Sequence, residues 1–139
     1  MNFYPSQSPV YINQHALDAF IRYAELEKPR EACGCLISVD NQIAAIQPIQ
    51  NISPQNNRFL MNPAELTAFV YEMEGSGNRY WSGVIHSHPT GSAEPSIEDV
   101  GQWHYPQLMY WIVSLQAQKT AAYLLDNQKF KPLEWKTVE

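Results

Sequence analysis

His86-Ser87-His88-Pro89-Thr90-Gly91-Ser92-Ala93-Glu94-Pro95-Ser96-Ile97-Glu98-Asp99 is the stretch around which the rest of the chain arranges itself. The run before it, Tyr80-Trp81-Ser82-Gly83-Val84-Ile85, is rich in aromatic and β-branched residues and reads as a buried strand. Side chains two apart on a strand share a face, so His86 and His88 project together from its end. Pro89 has no N–H to give the ladder and stops the strand. A polar loop holding Gly91 and Pro95 follows. Ser96-x-x-Asp99 then has the pattern of a helix start, and by itself it reads as a capping box. The returning chain can also bring Asp99 back to the two imidazoles. Two histidines and one carboxylate make a three-ligand set for zinc, with the fourth tetrahedral position left to water.

His-x-His, seven residues, Ser, two residues, Asp is also a spacing that resembles the signature of the JAMM, or MPN-plus, metallopeptidases of the Mov34/MPN/PAD-1 family. That family carries a glutamate on an early strand, and the matching residue is Glu31 in Pro29-Arg30-Glu31-Ala32-Cys33-Gly34-Cys35-Leu36-Ile37. This context resembles the bacterial and archaeal members. The likeness runs from about Val10 to the last strand. It implies a cytidine-deaminase-like α/β/α sandwich with a mixed sheet and one zinc ion per chain at a sheet edge. It further implies that His86, His88 and Asp99 hold the metal, that Glu31 shuttles the proton, and that Ser96 stabilises the oxyanion.

The remainder of the chain bounds these expectations. A length of 139 residues predicts one domain, residues 1–139, able to bury about two-thirds of its unfolded surface. A hydrophobic fraction of 45% with 17% charged residues describes a packed protein rather than a disordered one. The net charge is −5 and the nine Lys and Arg are scattered singly, which argues against nucleic acid as a partner. Met1-Asn2-Phe3-Tyr4-Pro5-Ser6 lacks the features of a secretory signal, and no stretch reaches the roughly 20 apolar residues of a membrane span. The expectation is a cytoplasmic protein away from membranes. There, the close pair Cys33 and Cys35 reads as buried filler rather than a disulfide or a metal site.

Taken in order, residues 10–12 read as a strand and Asn13 as the cap of a helix whose stripe is Leu17, Phe20, Ile21 and Ala24. His15 falls off that stripe and Pro29 ends the helix. Strands follow over 31–39 and 43–49, turning at Asp40-Asn41. Residues 50–57 form a polar loop and 58–61 a short strand. Asn62-Pro63-Ala64-Glu65 opens a second helix with the stripe Leu66, Phe69, Val70 and Met73. The helix after Ser96 runs to about Tyr105. Residues 108–115 form an aromatic strand, and 120–125 with 129–138 form a hairpin about Asp126-Asn127-Gln128. Glu31 alone would read as a salt-bridge partner of Arg30 or Arg22, and His104 as a surface or core-edge residue.

Other zinc frameworks fit less well. A His-x-His-x-Asp-His site would need Asp where Thr90 stands, and amidohydrolase barrels need about 250 residues. The resemblance implies a peptidase or isopeptidase, and the absence of long insertions points to a small ubiquitin-like or sulfur-carrier protein as substrate. The alternatives are a catalytically silent MPN-type scaffold, or a structural zinc domain whose site is closed by His104 or a cysteine.

Overall fold

The computed structural model describes residues 9–103 and 105–139. The readings of the first residues and of His104 lie outside the described residues.

Asn13 closes the first strand and opens the first helix. Its side-chain oxygen accepts the Ala16 amide at 2.9 Å, so β1 (Val10–Asn13) passes directly into α1 (Gln14–Glu27). Leu17, Phe20 and Ala24 form the buried stripe of α1, and the helix stops before Pro29. β2 (Cys33–Val39) and β3 (Gln42–Ile49) are antiparallel. They turn through Asp40 and Asn41, both at positive φ, which these two residue types tolerate in a tight hairpin. α2 (Pro63–Glu74) starts as its sequence predicts: Asn62 accepts the Ala64 amide at 2.9 Å, Pro63 occupies the first turn, and Gly75 caps the end. β4 (Tyr80–His88) carries the two histidines, and α3 (Ile97–Gln102) follows its loop. β5 (Met109–Ser114), β6 (Lys119–Asp126), β7 (Lys129–Leu133) and β8 (Trp135–Val138) complete the chain.

The eight strands form one mixed sheet in the order β7-β6-β5-β4-β2-β3-β1-β8. One face buries Ile12, Leu36, Ile85 and Trp111 under α1, and the other buries Cys35, Ile37, Val84 and Ile112 under α2. The layers are therefore α/β/α, as the resemblance implies. Each fully buried Leu, Ile or Phe contributes about 1.5–3 kcal/mol of transfer free energy. At Gly83 a Cβ would stand 2.7 Å from the Met109 carbonyl oxygen, so glycine lets β4 and β5 approach.

Three expectations change. Residues 129–138 are two strands: β7 pairs with β6, and β8 pairs with β1 at the opposite edge. Only Glu134 separates them, so the sheet must curl until its edges meet on one bent stretch of chain. The Trp111–Trp135 ring contact at 5.3 Å lies inside that curl. Residues 58–61 make a single bridge, Asn51 to Met61, and no strand. Finally, β4 is an interior strand between β2 and β5, so the histidines leave from a strand end in mid-sheet and not from an edge.

Candidate metal centre

His86 and His88 sit at the end of β4, on the same face, as period-two alternation requires. His86 is 0% exposed and its ring packs 4.7 Å from Phe59 and 4.9 Å from Tyr110. Asp99 is also buried, in the first turn of α3. Its Oδ1 lies 3.0 Å from His86 Nε2 and its Oδ2 lies 3.1 Å from His88 Nε2. One donor atom from each of the three residues lies within 4.8 Å of the others, so the three could hold a metal ion.

The surrounding bonds orient these donors. His88 Nδ1 stands 2.8 Å from the Ser92 carbonyl. A carbonyl only accepts, so Nδ1 carries a proton and Nε2 is the atom turned to the site. Ser96 Oγ accepts the Asp99 amide at 3.1 Å, and Asp99 Oδ2 accepts the Ser96 amide at 2.8 Å. The capping box is real, and the same residue that closes it joins the cluster. The two readings of Ser96-x-x-Asp99 are both true. Burial would raise the Asp99 carboxyl, but the two imidazoles and the Tyr110 hydroxyl hold it well below the usual range. Burial opposes charge on His88, yet Asp99 and the Ser92 carbonyl raise it.

Glu31 lies just before β2 and is 4% exposed. Its Oε1 has no hydrogen-bond partner among the described residues, and neither ring nitrogen of His86 finds an aligned one. A buried polar atom left so costs about 1–3 kcal/mol, and a cation among the histidines would satisfy His86 Nε2, the nitrogen that faces Asp99. The donor set and the open polar atoms thus fit a zinc-type ion. Glu31 makes no salt bridge among the described residues. Arg30 instead donates to the carbonyls of Asn51 and Ser53, the latter at 2.7 Å. Burial pushes the Glu31 carboxyl upward, with the imidazoles pulling the other way.

A cleft of ≈ 340 Å³ opens on the site, walled by Glu31, Asn57, His88, Thr90, Ser96 and Glu98. Asn51 organises the loop beside Glu31. The side chain donates to the carbonyls of Glu31 at 2.8 Å and Arg58 at 3.2 Å, and accepts the amides of Ser53 and Leu60 at 2.9 Å. Asn57 reaches across to Glu98 at 2.9 Å. Phe59 packs in the core. No cysteine joins the cluster: Cys33 donates to the Ile49 carbonyl at 3.3 Å and Cys35 is buried. Asn51 and Tyr110 escape the sequence reading, and Arg30 holds the Asn51 loop rather than pairing with Glu31. Tyr110 left one trace there, a phenol inside a continuous apolar strand, which needs a partner for its hydroxyl.

No helix among the described residues is long and apolar enough to cross a membrane. The chain is similar to tail tip assembly protein K of Escherichia phage N15, at 29% identity over 104 residues. That match covers 74% of this chain and spans 40% of the relative's length. The solution structure of a protein from Desulfitobacterium hafniense has a TM-score of 0.81 at 27% identity, covering 94% of each chain. A JAB1/MPN domain protein from Archaeoglobus fulgidus has a TM-score of 0.66 at 19% identity, covering 93% of this chain and 99% of that one, a likeness of fold. A protein from Salinibacter ruber has a TM-score of 0.67 at 25% identity, covering 93% and 92%. The profile of prokaryotic homologues of the JAB domain matches residues 13–126, across Glu31, the histidines of β4 and Asp99, and the chain belongs to that family.

Proposed function

We propose that this chain is a zinc-dependent peptidase or isopeptidase, cutting at the C-terminal glycine of a small ubiquitin-like or sulfur-carrier protein. One observation carries the reading: a cleft lined by Glu31, His88 and Ser96 opens beside the buried cluster of His86, His88 and Asp99, and Glu31 Oε1 has no partner among the described residues. His86, His88 and Asp99 would hold the ion; when bound, zinc supplies a Lewis acid and a water acidified to a pKa of about 7. Glu31 takes a proton from the attacking water at its free oxygen and returns it to the leaving amine. Ser96 Oγ already accepts the Asp99 amide, so its own proton is turned outward to the substrate carbonyl oxygen as charge develops there. Asn51 and the Ala32–Ser87 pair hold Glu31 in place: the Ala32 amide donates to Ser87 Oγ at 2.8 Å, and the Ser87 amide to the Ala32 carbonyl at 2.9 Å.

The substrate enters as an extended tail whose glycines let its backbone approach the floor of the cleft without a side-chain clash. It does not extend β4, which is paired on both sides. The test is metal analysis of the purified protein and of His88→Ala, followed by incubation with ubiquitin-like carrier fusions with and without a terminal Gly-Gly. One zinc per chain, lost in His88→Ala, and a cut after the glycines support the reading. Cleavage indifferent to the glycines leaves a general metallopeptidase. The similarity to a tail tip assembly protein favours a second reading, a domain that serves inside an assembly. Zinc bound without cleavage of any fusion would favour it.

A further inference from the structure

Tyr110 takes no part in the chemistry above, yet it grips the carboxylate on which the metal centre rests. It lies on β5, fully buried, and its hydroxyl donates to Asp99 Oδ1. The ring is hemmed in by Trp103 and His86 at 4.9 Å and by Phe130, stacked at 5.0 Å. The phenol therefore has little freedom to point elsewhere. On the other oxygen, the Ser96 amide donates to Oδ2 at 2.8 Å.

A carboxylate turns about its last bond in a broad, roughly two-fold well, so a single anchor leaves it able to swing. Two donors from different elements, one on the sheet and one at the start of α3, remove that freedom. The adjacent strand repeats the device. Tyr123, paired with Tyr110 across β5 and β6, donates to the Ala93 carbonyl at 2.8 Å. That bond holds the loop one residue past Ser92, whose carbonyl sets the His88 ring.

We infer that Tyr110 is a positioning residue of the metal centre: by tying Asp99 Oδ1 to β5, its hydroxyl sets the orientation in which Asp99 meets the ion, and with it the metal affinity. The inference rests on His86, His88 and Asp99 being the metal ligands. Metal-free wild type and Tyr110→Phe are each titrated with zinc against a chromophoric chelator, and with cobalt followed by its visible absorption. Tyr110→Phe keeps the ring and should bind zinc about 10- to 100-fold more weakly, the range seen when an outer partner of a ligand is lost. Its cobalt bands should also differ from those of wild type. Equal zinc affinity with superimposable cobalt bands overturns the inference even if the melting temperature falls, because only an ordinary buried hydrogen bond would then be lost. Wild type that binds no zinc defeats the metal reading itself, and this inference with it, before any variant is compared. Should Tyr110→Phe fail to fold, the unaltered protein decides. The Tyr110 Cζ resonance should shift on zinc loading while that of exposed Tyr71 stays in place, and an unmoved Tyr110 resonance overturns the inference.

Discussion

Ser96 and Asp99 bind each other twice, the amide of each donating to the side chain of the other at 2.8 and 3.1 Å. Removing the hydroxyl breaks one of those bonds and the proposed donor to the oxyanion together. Ser96→Ala should lose about 1 kcal/mol of stability and roughly 10²-fold or more in turnover. Zinc content should stay at the wild-type level. Urea unfolding, single-turnover cleavage and metal analysis separate the three effects; unchanged turnover would remove Ser96 from the chemistry.

Glu31→Gln should keep its zinc and lose most activity, since only the proton shuttle disappears. The substitution also has a pH signature. A carboxyl raised by burial binds its proton more tightly folded than unfolded, so it favours folding at low pH. That contribution is withdrawn as pH climbs from about 4.3 through the native value. Metal-free Glu31→Gln should therefore gain stability over metal-free wild type as pH rises from about 4 to about 7. Parallel melting curves across that range would contradict it.

Asn51 satisfies four backbone groups at once, those of Glu31, Ser53, Arg58 and Leu60. Asn51→Ala should cost about 2–4 kcal/mol, because several buried groups lose partners together. Asn51→Asp keeps the acceptor but not the donor to the Glu31 carbonyl, and should reduce turnover more than it reduces the urea midpoint. Equal loss in both variants and both measurements would make Asn51 merely structural.

The thiols should be silent. Burial pushes Cys33 up to about 12, and Cys35 shifts the same way for the same reason. Neither should react with a thiol reagent in the native protein at neutral pH, with or without metal, and both should react in denaturant. Rapid native labelling would show that the face under α2 opens.

Much of this was legible from local patterns. Asn13, Asn62 and Ser96 are caps where their residue types and neighbours say they are, because a cap is an interaction across three residues. The Asp40-Asn41 turn and the stripes of α1 and α2 are local in the same sense. Residues 129–138 split between two neighbours, and nothing within them says which one each half pairs with; β6 claims the first half and β1 the second. The segment over 58–61 has strand composition, yet Asn51 spends its hydrogen bonds holding it as an irregular loop.

By itself, the sequence determined the family, the layered fold class and the chemical identity of a His/His/Asp cluster, because spacing of two on a strand and a cap three residues long are short-range geometry. Only the tertiary structure decided how those groups meet. The register that sets Cys33 opposite His86 brings Glu31 to the site, and the curl of the sheet joins its two edges. Tyr110 reaches Asp99 from a neighbouring strand, and Asn51 reaches the Glu31 carbonyl from 20 residues away. Such contacts are set by burial and strand pairing summed over the whole sheet, and no window of sequence contains them.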